Sequence, residues 1–138
     1  LSELNEYRQS NDSTIAAWAA KRRTDEDLAD LHQCVAEAEA SLNDYERFIE
    51  LDVRFHSLLA RASANQVAII VTEVLGNVEK ETLRSKMLTL TPEGRIALGR
   101  RILDTHSIIL AAIRQQDSRA ARSAMQTHTK AAGRDLQL

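Results

Sequence analysis

A single proline, Pro92, occurs in this chain of 138 residues, and glycine occurs only four times. Because proline and glycine are the residues that interrupt helices most strongly, their scarcity permits long helical segments. Aromatic residues make up only 4% of the chain, whereas strands favour aromatic and β-branched residues. The sequence therefore predicts an all-α fold.

Apolar residues recur at spacings of three and four, and residues that cap helices stand between the apolar segments. The pattern predicts a first helix to about Arg22, with a bend or interruption at the polar run 10–13. A second helix is predicted over about 25–42, after a capping box that begins at Thr24, and a third from a cap at Asn43 or Asp44 to about 63. Asn65 ends that helix or caps the next one, which is predicted over about 66–87. Two more are predicted, from Pro92 to about 114 after a cap at Thr91, and after a cap at Asp117. Short connections favour an antiparallel bundle of about six to seven helices, forming one domain over residues 1–138.

The charge balance excludes some classes of function. Lys and Arg number 18 against 20 Asp and Glu, a net charge of −2, which argues against a nucleic-acid surface because phosphate contacts need concentrated positive charge. No apolar run approaches the about 20 residues that span a bilayer, and the N-terminal segment lacks a signal-peptide pattern. The only cysteine, Cys34, suits a reducing compartment. We expect a cytoplasmic protein, and the first residue, Leu1, leads us to expect a longer product.

Four polar side chains occupy helical positions where the periodicity calls for apolar residues: Asp52, His56, His106 and His128. Asp52 and His56 are four residues apart, so their side chains lie on one helical face about 5–6 Å apart. A buried carboxylate or imidazole needs a partner, and one divalent metal ion would serve all four. Three imidazoles and one carboxylate suit Zn above all, with Ni, Mn, Co or Fe as alternatives, and leave room for a further ligand in octahedral geometry.

Each of these residues also has a simpler interpretation. A single His on an apolar face is more often a hydrogen-bonded core residue than a ligand, and an Asp–His pair at this spacing can be a hydrogen bond. The joint placement of four such residues favours the metal. His32 flanks an apolar stripe with no carboxylate at ligand spacing, so we expect it at the surface.

Catalysis has little support in the sequence, which contains no HExxH, no GxSxG and no glycine-rich phosphate loop. No residue stands out as a general base. Two alternatives stay open: a small mononuclear metalloenzyme that activates water, and a helical dimerisation module with a structural metal or none.

The segment from Leu51 to Asn65 resembles the D-x-x-F-H-x-x-L-x-x-A-S-x-N core of the FCD domain, the effector-binding half of FadR-type regulators in the GntR superfamily. The segment from His106 to Ala121 is similar to the H-x-x-I-x-x-A-I-x-x-x-D-x-x-x-A motif of that family, and Met125 to His128 is similar to its closing M-x-x-H. The resemblance covers essentially the whole chain. It departs at Asp12 and Ser13, where the family often has Glu and Pro, and this departure favours an irregular first helix.

The resemblance implies a divalent ion held by the Asp and the three His of these motifs, at the floor of a pocket that takes a small organic acid. It also implies that Arg8, on the first helix, helps to bind the acid, for which a guanidinium is well shaped. An interhelical ion pair is the alternative for Arg8. Asn65, at the end of the first motif, is a further candidate ligand contact. Family membership further implies a homodimer and a winged-helix DNA-binding domain, which we expect to lie outside this sequence.

Overall fold

The computed structural model describes residues 2–136. Within them the chain forms six α-helices and no strand, which confirms the all-α bundle. The helices are α1 (Ser2–Arg22), α2 (Asp25–Ala40), α3 (Tyr45–Ala62), α4 (Gln66–Leu88), α5 (Pro92–Arg114) and α6 (Ser118–Leu136). None of these helices has the length and apolarity needed to cross a membrane.

The helices begin at the capping residues that the sequence predicts. The Thr24 hydroxyl accepts a hydrogen bond from the Asp27 N–H, and the Asp27 carboxylate accepts one from the Thr24 N–H, which forms a capping box. Asp44, rather than Asn43, caps α3, and Asn65 caps α4. The cap of α5 precedes its only proline, at a position where the missing N–H leaves no hydrogen bond unmade.

The first helix is continuous, so the predicted interruption at residues 10–13 is wrong. The polar side chains of this run are satisfied within the helix. The Ser13 and Thr14 hydroxyls both donate to the Ser10 carbonyl oxygen, and Asp12 accepts from Arg8 one turn earlier. Asp12 and Ser13 are both buried, so the last two residues of this polar run face the interior of the bundle rather than solvent.

Helix α1 packs most extensively against α6, and α3 contacts α1, α2 and α4. The core includes Phe48, Phe55 and Ile109, each nearly inaccessible to solvent. Helix α4 packs mainly against α3, so its opposite side has no neighbouring helix within residues 2–136. That outer face carries Val67, Ile70, Val74 and Val78, which are 68%, 60%, 62% and 39% exposed.

Two arginines at the end of α1 hold the ends of two other helices. Arg22 Nη1 donates to the Ser63 carbonyl oxygen at 2.9 Å, just beyond α3. Arg23 donates to the carbonyl oxygens of Ile113 and Arg114 at 3.1 and 2.8 Å, in the last turn of α5. Because the last carbonyls of a helix lack partners within that helix, these bonds stabilise the ends of α3 and α5 and fix both helices relative to α1.

Candidate metal centre

Three histidines from three helices meet inside the bundle. His56 lies on α3, His106 on α5 and His128 on α6, and all three side chains are buried. One nitrogen from each ring lies within 4.8 Å of the corresponding nitrogens of the other two. The packing therefore brings together three predicted ligands that are as much as 72 residues apart in sequence.

Local packing fixes the orientation of these rings. The Phe55 ring stacks on the His106 ring with centroids 4.1 Å apart and an interplanar angle of 12°. Phe55 also meets its neighbour His56 edge-on, with centroids 5.7 Å apart. Because Phe55 contacts two of the three imidazoles, an apolar side chain of α3 sets the geometry of a polar cluster.

Two ring nitrogens of the cluster have no hydrogen-bond partner among residues 2–136. His56 Nε2 and His106 Nε2 are both buried and unpaired. Leaving a buried polar atom unpaired costs about 1–3 kcal/mol, so a cluster with two such atoms calls for a partner that the described part of the chain does not supply. A metal ion accepts lone pairs from neutral imidazole nitrogens, and the donor set therefore fits a divalent metal.

Asp52 lies on the same face of α3 as His56, as its spacing predicts, and is buried. Its Oδ1 atom is 3.4 Å from His106 Nε2 without forming a hydrogen bond. Asp52, His56 and a residue of α4, Glu79, form a second group whose ligand atoms lie within 4.8 Å of one another. The four predicted ligands thus belong to two overlapping groups that share His56.

Glu79 is the carboxylate that the sequence analysis missed. Its Oε1 is 3.6 Å from His56 Nε2, and its side chain is 10% exposed. The inner face of α4 carries Thr72, Gly76, Leu83 and Met87, and Glu79 continues this row at helical spacing. That inner row is mixed in polarity, whereas the outer row is uniformly β-branched. Hydrophobic periodicity alone therefore predicts that the outer row of α4 is the buried one, which is the opposite of what the structure shows.

Arg8 forms an interhelical ion pair in this structure and also lies beside the histidine cluster. Its Nη2 atom is 3.0 Å from Asp12 Oδ2 on α1 and 3.3 Å from Glu79 Oε2 on α4. Burial opposes the positive charge, but Glu79 and Asp12 together outweigh this effect and raise the pKa of Arg8. The guanidinium therefore links α1 to α4 at the edge of the histidine cluster.

The charges around the cluster do not balance. Three carboxylates, on Asp12, Asp52 and Glu79, have side chains that are 9%, 5% and 10% exposed. Within residues 2–136, Arg8 is the only Lys or Arg that forms an ion pair with any of them. With all three carboxylates ionised, the set would carry two negative charges in excess, and either protonation of a carboxyl group or a divalent cation would reduce that excess. Buried charges are otherwise tolerated only when paired or when their pKa shifts.

The pKa shifts follow from this arrangement. Burial, reinforced by the neighbouring Glu79, raises the pKa of Asp52. Burial also lowers the pKa of His56 to about 4 and that of His128 to about 3, and it lowers the pKa of His106. The three imidazoles are therefore neutral near pH 7, the protonation state that a metal ligand needs.

A small cavity adjoins the cluster. It has a volume of about 10 Å³ and is lined by Asp12, His56, Thr72 and three apolar residues. The Thr72 hydroxyl is buried and has no hydrogen-bond partner in the described part of the chain. A cavity of this size has room for about one water molecule, so a larger ligand has to displace side chains to enter.

The remaining predicted residues lie elsewhere. Asn65 Oδ1 accepts from the Ala68 N–H at 3.0 Å, and Asn65 lines a separate groove between α1 and α4 with Tyr7 and Trp18. His32 is partly exposed, as expected, with its Nε2 atom 3.5 Å from Arg114 Nη2. Neither residue belongs to the two groups of potential metal ligands.

Comparison with known proteins identifies the protein family to which the chain belongs. Residues 3–131 match the family model of the FCD domain, so the chain belongs to the FCD domain family. The galactonate operon transcriptional repressor of Escherichia coli (strain K12) is 29% identical over 136 residues, which are 99% of this chain and 57% of that protein. The HTH-type transcriptional repressor NanR of Salmonella schwarzengrund (strain CVM19633) is 27% identical over 93% of this chain and 47% of that protein.

Solved structures agree with this assignment. The chain superimposes on Streptococcus agalactiae GntR with a TM-score of 0.81 and 29% identity, covering 96% of this chain and 57% of that one. It superimposes on E. coli McbR/YncC with a TM-score of 0.86 and 20% identity, which shows a shared fold. The chain spans about half the length of the curated relatives it matches. The resemblance to regulators of the GntR family is therefore confirmed.

We expect the metal-free protein to lose stability as the pH falls from 7 to 5. Below about 6.5 the unfolded chain protonates its imidazoles, whereas burial keeps them neutral in the folded state. Asp52, whose pKa is raised, acts in the opposite direction. At pH 5 the unfolded state therefore binds about two more protons than the folded state, because three imidazoles gain a proton on unfolding and Asp52 loses one. The free energy of unfolding falls by up to about 3 kcal/mol per pH unit.

Urea unfolding at several pH values, in the presence of a chelator, measures this dependence. The variant His128→Phe removes one imidazole and is expected to show a shallower slope, smaller by about one proton. A free energy of unfolding that does not change between pH 7 and pH 5 would contradict the assignment of buried, neutral imidazoles.

Proposed function

We propose that this chain is the metal-containing, effector-sensing domain of a GntR-type transcription regulator. The observation that carries the proposal is the convergence of three buried imidazoles beside the buried carboxyl group of Asp52, with two of the imidazole Nε2 atoms unpaired within residues 2–136. Membership of the FCD family and the two repressors among its relatives support a regulatory rather than an enzymatic role.

The ligands in this proposal are Asp52, His56, His106 and His128, with Glu79 as the competing carboxylate. A His-rich set with one carboxylate suits Zn²⁺, and Ni²⁺, Mn²⁺, Co²⁺ or Fe²⁺ also accept it. When bound, the ion supplies positive charge and a coordination position for an anionic ligand. The protein's part is to present neutral imidazoles and to exclude water from them, which burial achieves.

Arg8 is the residue of this chain best placed to bind an effector carboxylate. A guanidinium binds a carboxylate through two parallel hydrogen bonds. In the structure those donors are directed to Asp12 and Glu79, so an incoming acid competes with them. Because Glu79 lies on α4 and Arg8 on α1, this competition weakens the link between the two helices.

This competition couples binding to helix packing. The cavity beside His56 holds about one water molecule, so an organic acid fits at that position only if the side chains that line the cavity move. An effector shifts the conformational equilibrium only to the extent that it binds one arrangement better than the other, typically by 1–3 kcal/mol. In a full-length regulator, we propose that this shift reaches a DNA-binding domain carried by the rest of the protein.

The first test is the metal content of the purified domain. We expect one equivalent of a divalent metal in the wild-type protein and almost none in His106→Ala or His128→Ala, because each variant removes a ligand from the cluster. His32→Ala removes an imidazole outside the cluster and serves as the control. Elemental analysis with circular dichroism measures metal and fold together, and unchanged metal in the cluster variants would refute the assignment.

Two isosteric variants, Asp52→Asn and Glu79→Gln, identify which carboxylate binds the metal ion together with the histidines. Whichever carboxylate ligates the ion is the one whose amide variant weakens Zn²⁺ binding more strongly, since a neutral amide is a poorer ligand. A titration with a competing chelator gives both affinities. Equal and unaffected affinities would show that neither carboxylate is a ligand.

The second test concerns the effector. Galactonate is a suitable first probe because one relative is named as the repressor of a galactonate operon; gluconate, malate, lactate and citrate extend the set. A matching acid at a hundred times its dissociation constant stabilises the folded state by about 2.7 kcal/mol, which raises the melting temperature by several degrees. We expect Arg8→Met to lose most of this rise.

The outcomes of the acid screen separate the alternatives. Stabilisation that needs both the metal and Arg8 supports a sensor. Stabilisation by no acid favours the dimerisation module, and hydrolysis of ester or phosphate substrates that a chelator abolishes favours the metalloenzyme.

We also propose that the domain forms a homodimer through the outer face of α4. Val67, Ile70 and Val74 follow helical spacing and are more than half exposed, and a contiguous exposed apolar patch commonly marks an interface. We expect Ile70→Glu to produce a monomer in sedimentation or light-scattering measurements. Ala36→Glu, which adds the same charge at an exposed position on α2, should leave the dimer intact. A dimer that persists in Ile70→Glu would place the interface elsewhere.

A further inference from the structure

His128 differs from the other two imidazoles of the cluster because one of its ring nitrogens is held by a neighbouring side chain. Its Nδ1 atom lies 2.7 Å from Thr105 Oγ1, on the adjacent helix α5. Within residues 2–136, His56 and His106 have no side-chain hydrogen bond of this kind, and their Nε2 atoms are unpaired. The contact with Thr105 is therefore a specific constraint on one imidazole.

The Thr105 hydroxyl has a second partner, which settles the direction of the first bond. Its Oγ1 atom is 2.7 Å from the Ile102 carbonyl oxygen, one turn earlier on α5. A carbonyl oxygen can only accept, and a hydroxyl has a single proton to donate. Both short contacts are hydrogen bonds only if the hydroxyl donates to Ile102 and its oxygen accepts from the imidazole. The Nδ1 atom of His128 must then carry the proton.

We propose that Thr105 is a positioning residue that holds His128 in the tautomer protonated at Nδ1. In a neutral imidazole with the proton on Nδ1, the lone pair available to a metal is on Nε2. The hydrogen bond thus selects Nε2 as the ligand atom of His128. The consequence for metal binding rests on the proposed metal site, whereas the tautomer itself does not.

The position of Thr105 makes this arrangement sensitive to the packing of two helices. Thr105 immediately precedes His106 on α5, so consecutive residues of one helix provide one proposed ligand and orient another. The hydrogen bond to His128 crosses from α5 to α6, which pack against each other. Partners of this kind that orient metal-binding histidines typically account for a 10- to 100-fold difference in metal affinity.

The test compares Thr105→Val with Thr105→Ser. Valine has nearly the same shape as threonine but no hydroxyl, and serine keeps the hydroxyl without the methyl group. Thr129→Val is the matched control because the buried Thr129 hydroxyl, next to His128 in sequence, donates to the Met125 carbonyl oxygen. Circular dichroism checks that all three variants fold.

Nitrogen-15 NMR of the imidazole rings in the chelator-treated proteins reports the tautomer without any metal. We expect His128 to be protonated at Nδ1 in the wild type, Thr105→Ser and Thr129→Val, and to change to Nε2 or a mixture in Thr105→Val. Zn²⁺ titration against a competing chelator should show affinity at least about 10-fold weaker in Thr105→Val and near wild type in the other two.

Two results would overturn the proposal: protonation at Nε2 in the wild-type protein, or a Thr105→Val variant with unchanged tautomer and unchanged Zn²⁺ affinity. A wild-type protein that shows the expected tautomer but binds no divalent metal would refute the proposed metal site and uphold the role of Thr105 in setting the tautomer. The failures of the two proposals are therefore distinguishable.

Discussion

The ion pairs of Arg8 with Asp12 and Glu79 are the interaction on which the interior of this bundle depends. They join α1 to α4 next to the three imidazoles, and they provide the only guanidinium among three buried carboxylates in the described part of the chain. Removing one member of a buried ion pair is usually costly because the partner is left charged and unpaired. The remaining excess of negative charge can be compensated in two ways: by protonation of Asp52, whose pKa is raised, or by a divalent cation.

This arrangement connects the chemistry of the cluster to the architecture of the whole domain. Five of the six helices contribute to it, since Arg8 comes from α1, the histidines from α3, α5 and α6, and Glu79 from α4. Arg22 and Arg23 hold the ends of α3 and α5 to α1. A ligand that changed the partners of Arg8 would therefore act on helices that are joined both at the site and at their ends, as the proposed sensing role requires.

Local sequence signals predicted the helices well because the forces that define helix ends act over a few residues. Thr24, Asp44, Asn65, Thr91 and Asp117 accept hydrogen bonds from backbone N–H groups three residues later. The same reasoning was wrong about the run 10–13, where polar residues suggested a break. Asp12 and Ser13 face the interior, and the ion pair with Arg8 and the hydrogen bonds to Ser10 satisfy the polar groups of the run while the helix continues.

For the candidate site, residue type and helical spacing selected Asp52 and the three histidines as inward-facing, and all four are buried. Their mutual distances, the participation of Glu79 and the bond from His128 to Thr105 depend on which helices are neighbours, and no short-range pattern encodes that. Helix α4 illustrates the reason: its β-branched row faces outward and its mixed row, with Thr72 and Gly76, faces α3. Periodicity identifies the faces of a helix, and only packing against the other helices decides which face becomes the interior.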